Sequence, residues 1–195
     1  QSDLTAYRLD NTGSLRTLIV RQSMRTSDKL VMLTVSGRPE YALNKQVIKK
    51  FIQAILLTVA EKERISIFLR IQQTIKGQPT QFFEMHLHGP DHMLEQLVID
   101  SKTLTFKISP TSFFQPNPRQ AEKLFSAALQ AIQGRKKHIL DLYAGTATLS
   151  IIFAKIADKV TAIELNPHAV FDAKVNKELN QIDNLEIICG DVGQK

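Results

Sequence analysis

The stretch that decides the fold is "DLYAGTATLS", residues 141–150, which lies between "HIL" at 138–140 and "IIFAKIA" at 151–157. A single glycine, Gly145, stands in a short turn between a strand-like run and a helix-like one. In a parallel α/β sheet, a ligand binds beyond the carboxyl end of the first strand, where the chain turns into its helix. Gly145 lets the backbone come close to a ligand that a Cβ would repel. Downstream, "KVTAIEL" at 159–165 reads as a second buried strand. Asn166-Pro167 caps a helix over 167–180, and "LEIICGD" at 185–191 is a third strand. The pattern is β-α-β-α-β with short connections, the front half of a doubly wound parallel sheet.

Two acids narrow the ligand. An acid about 20 residues past the glycine turn, at the end of the second strand, is placed to hold ribose hydroxyls. Glu164 follows Gly145 by 19 residues. A dinucleotide site wants G-x-G-x-x-G, so that a pyrophosphate can reach the helix N-terminus. Here the run from Gly145 is G-T-A-T-L-S. S-adenosylmethionine carries no phosphate and tolerates a small residue at the second position. Asp191, at the end of the third strand, could take the exocyclic amine of its adenine. Each acid has a plainer reading, Glu164 as a solvated strand end and Asp191 as part of a Gly-Asp turn. Together with the glycine turn they favour an α/β, Rossmann-like class I methyltransferase domain over a nicotinamide enzyme.

Upstream, "NPRQAEKLFSAALQAIQG" at 117–134 is helical, with Pro118 in the first turn and Gly134 past the end. Before Pro110 the pattern changes. Residues 15–22 and 30–36 read as strands around the turn "MRTSD". "NKQVIKKFIQAILLTVAEKE" at 44–63 places Val47, Ile48, Phe51, Ile52, Ile55, Leu56 and Val59 on one helical face, with Asn44 as N-cap. Strand-like runs follow at 65–72, 82–88, 93–99 and 103–108. The expected organisation is a smaller α+β domain over 1–108 and the methyltransferase-type domain over 109–195.

Bulk properties exclude some classes. The chain has 195 residues, 43% of them hydrophobic and 23% charged, which is ordinary for a globular protein. No apolar stretch approaches the roughly 18 residues of a membrane span, the N-terminus lacks a signal-peptide layout, and a cytoplasmic protein is expected. A single cysteine, Cys189, rules out an internal disulfide or a multi-cysteine metal site. On its apolar strand it is expected to be a buried structural cysteine. The net charge of +6 is uneven. Residues 1–110 carry 15 Lys and Arg against 10 Asp and Glu, residues 111–195 carry 10 against 9. That suits an RNA partner as well as a merely solvated surface. His86 and His88 alternate on one strand without a third ligand nearby, so no metal is expected. Arg135, Lys136 and Lys137 read as a solvated loop.

"ISPTSFFQPNPRQAEKLF" at 108–125, followed by 139–192, resembles the RNA (uracil-5-)-methyltransferases, the family of 23S rRNA and tRNA 5-methyluridine enzymes. The S-F-F-Q-x-N segment is a family feature that generic methyltransferases lack. Residues 15–107, including "GSLRTLIVR", are more loosely similar to that family's central RNA-binding domain. The resemblance implies that Gln115 binds the methionine end of S-adenosylmethionine, that Tyr143 and Thr148 line the loop around it with Gly145, that Glu164 takes the ribose and Asp191 the adenine. In the family's turn a cysteine and a second glycine stand where this chain has Ala144 and Ala147. An alanine at 147 is harmful only if φ is positive there.

The family chemistry is covalent. A cysteine thiolate adds to C6 of a flipped-out uracil, which makes C5 nucleophilic toward the cofactor's methyl group. A base then takes the C5 proton and the enzyme is released. The resemblance places that cysteine and that base beyond the segment matching residue 192, so no catalytic residue is assigned and Cys189 does not correspond. The 195-residue stretch by itself is expected to be inactive, and three strands of a normally seven-stranded sheet lead us to expect a protein continuing past Lys195. The resemblance favours 23S rRNA as substrate. The alternatives are a tRNA 5-methyluridine enzyme and a non-catalytic RNA-binding module that keeps the fold.

Overall fold

A computed structural model describes residues 4–60 and 63–194. The chain forms two compact units, one of residues 1–23 and 27–93, the other of 24–26 and 94–195.

In the first unit, β1 (Leu15–Gln22) and β2 (Lys29–Ser36) pair antiparallel. α1 (Lys45–Leu56) then leads to β3 (Ile65–Gln73), parallel to β2, and β4 (Gln81–His88) returns antiparallel, giving the sheet order β1-β2-β3-β4. α1 forms as its sequence predicts. The Asn44 side chain accepts a hydrogen bond from Val47 N at 3.0 Å. Phe51, Ile52 and Ile55 pack on Val31, Ile65 and Ile67. The helix stops at Leu56, well short of the expected residue 63. The Thr58 hydroxyl donates to Ile55 O at 2.7 Å and competes with helical bonding, while Val59 still reaches the core. Residues 61 and 62 of the expected helix lie outside the described residues.

The second unit opens with a hairpin of β5 (Met93–Ile99) and β6 (Lys102–Ile108). Asp100 and Ser101 both have positive φ, the requirement of a tight two-residue turn. α2 (Pro118–Ala131) follows, capped by Asn117. Then come β7 (Lys136–Leu142), α3 (Thr148–Phe153), a short 3-10 turn at Ala154–Ile156, β8 (Ala157–Glu164), α4 (Pro167–Leu179) and β9 (Leu185–Cys189). The strands form a parallel sheet in the order β7-β8-β9. This is the Rossmann-like arrangement expected from the sequence.

The hairpin belongs with this second unit, so the division falls at 93/94 and not at 108. The reason is packing. Leu97, Ile99, Leu104 and Phe106 share one continuous core with Phe125, Ile151, Val160 and Leu185. Lys136 and Lys137 also differ from expectation: they are exposed but already lie in β7 rather than in a loop before it.

Candidate cofactor-binding site

The site is built where β7 and β8 end. Ala144 N donates to Ile163 O at 3.1 Å, which lays the turn after β7 against the last residues of β8. Glu164 closes it: one carboxylate oxygen accepts from Gly145 N at 2.9 Å, the other from Asn166 N at 2.8 Å. Gly190 N donates to Glu164 O at 2.9 Å and brings the end of β9 alongside. Thr148 opens α3, half-buried, its hydroxyl 3.3 Å from that of Thr146. Gly145 has φ +56, and a Cβ built on it meets nothing within 4 Å. The space over this turn is open, and it lies beside a carboxylate.

The turn is strained. Tyr143 and Ala147 both have φ of 60°, the left-handed region that side chains disfavour by about 1–2 kcal/mol. Ala147 is fully buried and Tyr143 is 77% exposed. The condition under which Ala147 would be costly is therefore met. Strain of this kind persists where surrounding contacts over-determine the backbone, and it gathers at ligand sites. One such contact is at the base of the turn, where the Ser150 hydroxyl donates to Asp141 Oδ2 at 2.5 Å. Burial pushes the Asp141 carboxyl above the usual carboxylate range, partly offset by that hydroxyl.

Asp191 is exposed two residues past β9, with Oδ1 accepting from Gly193 N at 2.8 Å. Gln115 is half-buried between β6 and α2, next to Phe114, whose ring lies 5.6 Å from that of Phe106. The structure thus joins Gly145 and Glu164 directly and Thr148 through its neighbour. Among the described residues no hydrogen bond links Gln115 to the other five. Cys189 is exposed, contrary to expectation, with Sγ 3.8 Å from Leu165 O. It follows Ile187 and Ile188, which are themselves only half-buried. His86 Nε2 faces the carbonyl of His88 at 3.1 Å, and no cluster of three potential metal ligands occurs among the described residues.

Sequence reasoning missed the polar side chains that hold these segments. Asp172 of α4 is fully buried and accepts from Ser109 N (3.1 Å), Ser109 Oγ (2.8 Å) and Ser112 Oγ (2.6 Å), with Lys107 Nζ at 3.5 Å. One turn on, buried Asn176 accepts from Lys107 N at 2.6 Å and donates to Thr146 O at 3.2 Å. α4 therefore anchors both the start of the segment carrying Gln115 and the glycine turn. The available signal was a polar pair at i and i+4 on the face that also carries Ala169 and Ala173.

A parallel sheet with an open glycine turn at its first strand and an acid closing it from the second defines a nucleoside-binding α/β fold of the class I methyltransferase type. The family described as tRNA (uracil-5-)-methyltransferase matches residues 80–190, and the chain belongs to that family. An uncharacterized RNA methyltransferase of Protochlamydia amoebophila is 47% identical, over 99% of this chain and 46% of its own. Another, from Chlamydia trachomatis, is 36% identical over 98% of this chain and 48% of its own. The chain thus spans about half the length of the curated relatives it matches. Among solved structures, the tRNA (uracil-54, C5)-methyltransferase of Pyrococcus abyssi, determined with S-adenosyl-L-homocysteine, shares the fold with a TM-score of 0.64. It is 24% identical, over 93% of this chain and 41% of that one. No described helix is long and apolar enough to cross a membrane.

Proposed function

We propose that this chain is the cofactor-binding and RNA-contacting part of a cytoplasmic, S-adenosylmethionine-dependent RNA uracil-C5 methyltransferase. The observation that carries the reading is the Glu164 carboxylate, held at the glycine turn by Gly145 N and Asn166 N beside open space. A carboxylate fixed by two backbone donors keeps lone pairs for ribose hydroxyls. Gly145 admits the nucleoside, Tyr143 and Thr148 flank it, Asp191 takes the adenine amine, and Gln115 holds the methionine end. The bound cofactor supplies an electrophilic methyl group on a sulfonium. The family resemblance favours 23S rRNA as substrate. The tRNA reading is supported by the description of the matching family and by the Pyrococcus abyssi enzyme.

The test is calorimetry of the full-length protein with S-adenosylhomocysteine. Losing the charged hydrogen bonds of Glu164 costs roughly 1.5–3 kcal/mol, so Glu164→Ala is expected to weaken binding by about ten- to a hundredfold. Unchanged affinity in that variant, or tighter binding of NAD by the parent, overturns the cofactor reading. Nucleoside mass analysis after incubation with 23S rRNA or tRNA decides the substrate. RNA affinity without any S-adenosylhomocysteine binding would instead mark a non-catalytic module.

A further inference from the structure

At one end of the four-stranded sheet, the start of β1, the end of β3 and three adjoining loops form a polar pocket of about 250 Å³. It is lined by Arg16, Arg38 and Lys76 together with Asp10, Asn11, Gln72 and Thr74. We propose that this pocket binds one ribose-phosphate unit of the RNA strand, its phosphodiester on Arg16, Arg38 and Lys76 and its 2′-hydroxyl on Asp10. The inference rests on the RNA-methyltransferase reading and adds a defined contact point for the RNA.

Three features make the pocket more than a solvated basic patch. Arg16 is held in place: its guanidinium carbon lies 3.7 Å over the Tyr7 ring. Yet its Nε is buried without a hydrogen-bond partner. No described carboxylate pairs with the Arg16 guanidinium, so its charge is left for an anion in the pocket. Arg38 donates to Asn11 O at 3.2 Å and pairs with Glu40 at 3.2 Å, but both side chains of that pair are about half exposed, where an ion pair contributes little. Arg38 is therefore available to a phosphate. Finally, the volume suits a phosphate with its sugar.

Asp10 gives the pocket its selectivity. Its Oδ1 accepts from Thr12 N at 3.0 Å and Thr12 Oγ1 at 2.7 Å, which holds the carboxyl below the usual range and keeps it ionised. Three cations against one carboxylate leave the pocket net positive, which attracts the phosphodiester anion. A carboxylate also accepts a hydrogen bond from a 2′-hydroxyl, the group that separates RNA from DNA.

The experiment measures affinity of the full-length protein for single-stranded RNA and for DNA of the same sequence against salt. Each phosphate contact contributes about 0.7 to the slope of log K against log salt for a single strand. The double variant Arg38→Ala, Lys76→Ala is expected to lower that slope by up to about this amount, since both cations share one phosphate, with S-adenosylhomocysteine affinity unchanged. Arg16→Lys keeps the charge but loses the flat stacked donor, and it is expected to weaken RNA several-fold. Asp10→Asn is expected to narrow the preference for RNA over DNA. A dinucleoside monophosphate is expected to compete more strongly than inorganic phosphate, because only it offers a 2′-hydroxyl to Asp10; equally strong competition by the two would mean a free-phosphate site and overturn the proposal. A parent-like slope in the double variant Arg38→Ala, Lys76→Ala overturns it while leaving the RNA reading intact. A parent protein that binds no RNA defeats both.

Discussion

α1 and α4 are both about three turns long and both start at an asparagine cap, but they bury opposite chemistry. α1 buries no side chain fully and touches its sheet through an apolar face of Phe51, Ile52 and Ile55. α4 buries Ala169, Val170 and Ala173 together with Asp172 and Asn176. The first helix covers a sheet. The second also hydrogen-bonds the strand β6, the residues leading to Gln115 and the glycine turn. The apolar face of α1 is non-directional and tolerates substitution, whereas the buried polar pair fixes geometry, because each unsatisfied partner would be costly.

That contrast is most easily broken at Asp172. Asp172→Ala would take from buried Lys107 the carboxylate beside it and from the Ser109 and Ser112 hydroxyls their shared acceptor. The expected loss is about 3–5 kcal/mol in equilibrium urea unfolding, against a change within about 0.5 kcal/mol for an exposed α1 substitution such as Lys49→Ala. A loss under about 1 kcal/mol for Asp172→Ala would show that α4 is held by its apolar residues alone.

The caps should be alike. Asn44 accepts from Val47 N and Asn166 from His168 N, at 3.0 and 2.9 Å. Alanine at either is expected to cost about 1 kcal/mol. A much larger loss at Asn166, read by the same unfolding measurement, would mean that its side chain also supports the Glu164 turn.

The smallest net effect is expected at Asp141, where burial and the Ser150 hydrogen bond oppose each other. Its carboxyl is raised on folding, so the native state holds the proton more tightly than the unfolded chain. Stability then falls as pH rises from the unfolded value, about 3.9, through the folded one. Asp141→Asn removes that cost. The variant should melt above its parent at pH 7, with the gap closing below about pH 4; a gap independent of pH would rule out this cause.

Much of this was legible in the chain. Apolar runs at 138–140, 159–163 and 185–188 with short connections announced the parallel sheet, and the spacing from Gly145 to Glu164 announced the closing acid. Other features were not legible, for definite reasons. The hairpin at 93–108 looks like any pair of strands, and only the shared core with Phe125 and Ile151 assigns it to the second unit. Cys189 sits in an apolar run, yet its side chain is exposed at the strand's last position, which periodicity alone does not reveal.

The sequence by itself determined the element order and the α/β class, because these follow from local periodicity, and its resemblance over 108–192 pointed to the family. Only the tertiary structure decided that Ala147 takes a left-handed backbone, that Asp172 and Asn176 tie α4 to two distant loops, and that Arg16, Arg38 and Lys76 line one pocket. Those features arise from contacts between residues tens of positions apart, and no local pattern encodes such a meeting.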